Sequence, residues 1–193
     1  TFGVRIEGSA SNFDYEVEAA YQMGDVDDNV EYDGFAVDAT LGYTFDSDLQ
    51  PRIFGGVTFL EGPSGDGTDG GFNRLFSDRE YSEFLGNTNL SNLLIARLGF
   101  SLAATEKIGF SVVASHFEVD EDSAAYNSTD TTDLSMNRED TIGQEVGIYM
   151  TYAYSEDVAM EFGYAHFFVD GDHLTHGDVD DLDYVYGEIS VSF

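Results

Sequence analysis

The stretch FDYEVEA places Asp14, Glu16 and Glu18 at alternate positions, and Arg5 and Glu7 show the same spacing a few residues earlier. Alternate residues of an extended chain share a face, so these carboxylates form a ladder of negative charge. One reading is a wall that attracts cations, partly neutralised by arginine and giving a field across a water-filled space. The plainer reading is a solvated polar surface whose ion pairs add little. Asp38, Arg52, Arg97, Glu145, Glu161 and Glu188 extend the charged set, one per segment. Arg52 and Arg97, each alone on its segment, read as partners for the acids rather than clamps for a substrate.

Other chemistries find weaker support. The acid-rich runs DVDDN, VDEDS, DGDH and GDVDDLD suit calcium in oxygen content. None has the spacing of a calcium-binding helix-loop-helix: counted from Asp25, the sixth residue is Val30 and the twelfth Ala36. His173 and His176 could begin a metal site but lack a third ligand nearby, so no metal and no cofactor is expected. GSAS and GPSG lack the strand-to-helix context of a nucleophile elbow. Paired carboxylates such as Glu18 and Asp38 leave open an enzyme built on the same scaffold.

The elements that must carry these residues have period two. Alternation runs through nine segments near residues 2–10, 13–21, 35–43, 52–60, 94–102, 108–116, 145–154, 158–168 and 185–193. Each has about the 9 to 11 residues of a tilted membrane-spanning strand. Within them, Arg5, Glu7, Asp14, Glu16, Glu18, Asp38, Arg52, Arg97, Glu145, Glu161 and Glu188 all take the parity opposite the apolar set. Lipid supplies the reason, because a midplane cation on a lipid-facing surface costs about 2 to 4 kcal/mol. The apolar faces carry aromatics at their ends, and His116 and His166 fall on that parity near one rim.

Connections alternate too. Short ones (Ser11 and Asn12, FDSDLQP, AATEK, SED) alternate with long ones near 22–34, 61–90, 118–141 and 170–183. Outer-membrane barrels have this rhythm, with the short turns periplasmic. Of the 38 acids, 25 sit in the long connections, so the net charge of -31 is mainly an outer-rim feature. That balance excludes nucleic acid, which needs concentrated basic surface. The absence of Cys excludes disulfides and thiolate metal sites, and no apolar run is long enough for a membrane-spanning helix. TFGVRIEGSA does not read as a signal peptide, so a secreted protein would be seen here in mature or truncated form.

The chain therefore reads as all-β, a single segment 1–193 of antiparallel transmembrane β-barrel with nine meander strands. A barrel edge cannot stay unpaired in hydrocarbon, which demands that the last strand pair with the first in the complete wall. Bacterial single-chain barrels have even strand numbers with both ends periplasmic. Nine is odd, so a missing N-terminal part is expected, with as many strands again. The glycine-rich connection 61–90 could fold inward as a constriction that presents Arg74 and Arg79, or stand outside as a cap.

FDYEVEAAYQMGD, GFAVDATLGYTF, PRIFGGVTFLEG, NRLFSDREYSEFLG, GQEVGIYMTYAY, VAMEFGYAHFFVDGD and LDYVYGEISVSF together resemble the C-terminal half of the alginate-export-type outer-membrane channels. The resemblance implies a barrel of about eighteen strands in the outer membrane of a Gram-negative bacterium. It also implies contact with outer-membrane lipid and recognition of Phe193 by the barrel assembly machinery. The function implied is a porin or export channel for small solutes or polysaccharide. One departure bears on substrate: the family's exporter is said to line its pore with basic residues, whereas eight acids face three arginines here. A soluble acidic barrel that binds lipid inside its apolar face is the remaining alternative.

Overall fold

The computed structural model describes residues 1–27, 30–62, 69–73, 81–84, 92–120, 141–169 and 180–192. Its strands are β1 (Phe2–Ala10), β2 (Phe13–Asp27), β3 (Val30–Thr44), β4 (Arg52–Leu60), β5 (Asp69–Gly70), β6 (Leu93–Ala103), β7 (Ile108–Glu118), β8 (Thr141–Ala153), β9 (Val158–Val169) and β10 (Leu182–Val191). The long strands form one meander in the order β1-β2-β3-β4-β6-β7-β8-β9-β10, every step antiparallel. The two-residue β5 pairs with β3 in parallel, off that path.

Strands β1 and β4 keep the limits their alternation predicts. The connection expected near 22–34 is instead a continued hairpin, with β2 reaching Asp27 and β3 starting at Val30. Backbone ladder bonds do not depend on side-chain polarity, so pairing continues past the point where apolar and polar residues cease to alternate. β8 and β10 likewise start earlier than their alternation, at Thr141 and Leu182. β10 ends at Val191, and Phe193 lies outside the described residues.

Apart from register shifts near Asp25/Asp27 and Phe117/Glu118, the register keeps one parity on one face from β1 to β10. Ile6 opposes Val17, Val17 opposes Ala39, Ala39 opposes Val57, and Val57 opposes Ala96. Such a face without a partner is exposed: Ile6 is 58% accessible, Leu98 67% and Ile148 49%. Among the described residues the apolar set is not packed into a dry core. Aromatics bracket it. Phe2, Tyr21 and Phe35 are cross-strand neighbours at the long-loop end, and Phe13 meets Tyr43 edge-on at 4.8 Å at the other. From Phe13 to Tyr21 is about 26 Å along the strand, on the scale of the roughly 25 Å apolar band of a membrane barrel.

Among the described residues, acids appear on this apolar face at the loop-side ends, Asp33, Glu118 and Asp183 among them. His116 lies 2.9 Å from Glu118, and His166 lies 2.9 Å from Asp183. The opposite rim is locked by backbone bonds from each strand end to the preceding turn: Thr44 to Asn12, Ala103 to Leu49, Ala153 to Lys107 and Ser192 to Asp157. β1 and β10 remain the two edges of an open sheet, so the pairing of last strand with first is not made between them.

Candidate functional site

All eleven charged side chains read from the sequence share the face opposite the apolar set. The register carries this from Arg5 opposite Glu18, through Glu18 opposite Asp38 and Ser115 opposite Glu145, to Glu161 opposite Glu188. Towards the short turns the face is concave. A cavity of about 610 Å³ is bordered there by Thr44, Arg52, Ser101, Thr151, Glu161 and Glu188, which come from six strands.

Arginine side chains lie flat across glycines of the strand between them and their partners. Arg52 on β4 grips Asp14 on β2 with two bonds of 2.6 and 2.9 Å, passing over Gly42 of β3. Arg97 on β6 reaches Asp38 on β3 at 2.9 Å, passing over Gly56 of β4. Thr58 donates to the same Asp38 oxygen at 2.5 Å. A side chain at either glycine would occupy the guanidinium's path. Arg5 lies 2.6 Å from Glu7 and 3.4 Å from Glu16, which relieves the repulsion expected of Glu7 directly opposite Glu16. Asp38, the carboxylate that an acid-base pair with Glu18 would need, is held by both Arg97 and Thr58.

The connection between β4 and β6 folds onto this face. Gln22 donates to the Asn73 carbonyl at 2.7 Å and accepts from the Asn73 N–H at 2.8 Å. Ser82 donates to Glu145 at 2.5 Å, the Glu83 N–H adds a bond of 3.3 Å, and the Arg97 guanidinium stands 5.0 Å from the Tyr81 ring centroid. Glu145 is therefore a loop anchor, 4% exposed. Arg74 and Arg79 lie outside the described residues, as do His173 and His176.

Beneath this segment is an apolar cluster that the alternation rule missed. Ala36, Leu60, Leu93, Ile95, Phe117, Ile142 and Phe167 are buried, with Phe72, Tyr81 and Phe84 packed on them. Leu60, Leu93, Ile95, Phe117 and Phe167 have the parity of the charged set. The signal was available: Phe59-Leu60, Leu93-Leu94-Ile95 and Phe167-Phe168 are apolar on both parities, as strands covered on both sides must be.

Close approach of the loop depends on Gly34. A methyl group there would sit 2.7 Å from the Gly71 carbonyl oxygen and 3.0 Å from Phe72 Cα, backbone atoms that cannot rotate aside. Gly34→Ala should cost about 1–3 kcal/mol of overpacking, borne by lifting the loop. Faster proteolysis of the 61–90 connection in the folded, detergent-solubilised protein checks this, and unchanged protection contradicts it.

The family model described as alginate export matches residues 1–188. A search of curated proteins finds no match.

Proposed function

This chain belongs to the alginate export family, a family of outer-membrane export channels, and on that premise we propose that its sheet is part of the wall of a channel in the outer membrane of a Gram-negative bacterium. The apolar face meets lipid, the charged concave face lines the passage, and residues 69–73 and 81–84, folded onto that face, narrow it from the outside. The observation that carries this reading is the unbroken register. One slip of one residue anywhere would send the charges beyond it into lipid, and no slip occurs across the membrane-spanning part of the sheet. Strands contributed from outside this chain complete the wall, and solutes pass by diffusion without a cofactor.

Eight acids against three arginines, each arginine already within an ion pair, leave this part of the wall net negative. Charged rings set pore selectivity, so this wall favours cations and uncharged solutes over a polyanion. The test is the reversal potential of the purified protein in planar bilayers under a KCl gradient. Cation selectivity is expected, and replacing Glu7, Glu16 and Glu18 by Gln should lower the potassium-to-chloride permeability ratio by about two-fold. A wild-type ratio below one overturns the acidic-passage argument, and inserted protein without conductance overturns the channel.

A further inference from the structure

The charged face also carries aromatic rings that the ion pairs do not explain. Tyr184 and Tyr186 project from β10 on that face, opposite Ala165 and Gly163 of β9. The Tyr186 ring lies over Gly163, where three of its atoms fill the space of a side chain. Glu161, two residues along β9, accepts the Tyr186 hydroxyl. The ring is thus seated on glycine and fixed at its tip, with its other face turned away from the sheet. Tyr184 stands 5.7 Å from Tyr186 at 34°, and Phe84 of the inward loop stands 6.1 Å from Tyr184. The three rings form a strip from the loop cluster towards the cavity, where Glu161, Glu188, Thr151 and Ser190 supply polar groups.

Two tilted tyrosine faces bordered by carboxylates, with Phe84 set edge-on at one end, match a molecule with one apolar face and a hydroxylated edge. A pyranose ring has that construction: axial C–H bonds cover its face and hydroxyls its rim. We propose that Tyr184 and Tyr186, with Glu161 and Glu188 as acceptors, form a subsite for an uncharged hexose oligomer on the channel wall. The assignment rests on the channel reading and deepens it by naming a solute class. Sugar hydroxyls donate to the two carboxylates, whereas a uronate would bring its own negative charge against them and be repelled. Each carboxylate already accepts one protein hydroxyl, Glu161 from Tyr186 and Glu188 from Ser190, and a lipid chain offers neither a further donor.

The test is isothermal titration calorimetry on the detergent-folded protein with maltohexaose and, separately, hexamannuronate. Maltohexaose should bind, and hexamannuronate should bind about ten-fold more weakly. Tyr184→Ala with Tyr186→Ala should weaken maltohexaose by about ten-fold. Tyr186→Phe, which keeps the ring and removes the bond to Glu161, should bind within about three-fold of wild type. Heat-modifiable mobility on gels verifies that each variant is folded. Equal affinity in the double alanine variant overturns the subsite, as does tighter binding of the uronate or no binding of either sugar. Because the titration does not need ion flow, sugar binding without conductance would reject the channel and keep the subsite. Conductance without sugar binding would do the reverse.

Discussion

Replacing Leu98 and Ile148 together by arginine is expected to abolish stable assembly in a bilayer. Both side chains lie midway along their strands, β6 and β8, on the uncharged face, and both are exposed there. A guanidinium near the midplane of a lipid-facing surface costs about 2 to 4 kcal/mol, so two distant sites together cost about 4 to 8 kcal/mol, comparable with the stability of a typical domain. The matching control is Ser101→Arg with Thr151→Arg, on the opposite face of the same two strands, where both positions border the open cavity and water receives the charge. Refolding into phosphatidylcholine vesicles, followed by gel mobility, should show the first variant unfolded and the control folded. If both variants fold equally well, the assignment of faces is wrong.

The second large effect centres on Asp38. Its side chain is 8% exposed and that of its partner Arg97 16%, so removing either leaves a charge mostly withdrawn from water. Asp38→Ala should destabilise the folded protein by about 3–5 kcal/mol. Replacing both partners by apolar residues, Asp38→Leu with Arg97→Met, should recover most of that loss, because no charge is stranded. Asp14 and Arg52 provide the contrast. Their side chains are 41% and 27% exposed, and Asp14→Ala should cost about 0–1 kcal/mol. Urea midpoints in detergent micelles rank the variants. If Asp38→Ala unfolds no earlier than Asp14→Ala, the pair is better hydrated than its accessibility implies.

The fold was largely legible because a sheet with two unlike faces has a period of two. Wherever one face is uniformly apolar, as from Phe13 to Tyr21, the sequence alternated and the strand could be located. The reading failed where that contrast stopped. Beyond Tyr21 the hairpin of β2 and β3 continues after the alternation of apolar and charged residues ends, so Asp25 and Glu31 looked like loop. It failed also where protein replaced water on the inner face. Leu60, Ile95 and Phe117 are covered by the folded-in connection, and two apolar parities in succession register that cover but do not name it. The charged face itself was readable residue by residue. Its long-range pairs were not, since Arg97 reaching Asp38 depends on Gly56 in the strand between them, a relation that exists only after the strands are laid side by side.

The open rims β1 and β10 have a consequence for whatever stands beside them. A path of nine strands in which every step reverses direction leaves its first and last members pointing the same way. A companion that zips antiparallel onto both must itself begin and finish with the contrary sense, and so must bring an odd number of strands. A twin of this chain, inserted in the same orientation, offers the wrong polarity at both seams and could join only in parallel. Antiparallel closure at both joins therefore excludes a second copy in the same orientation.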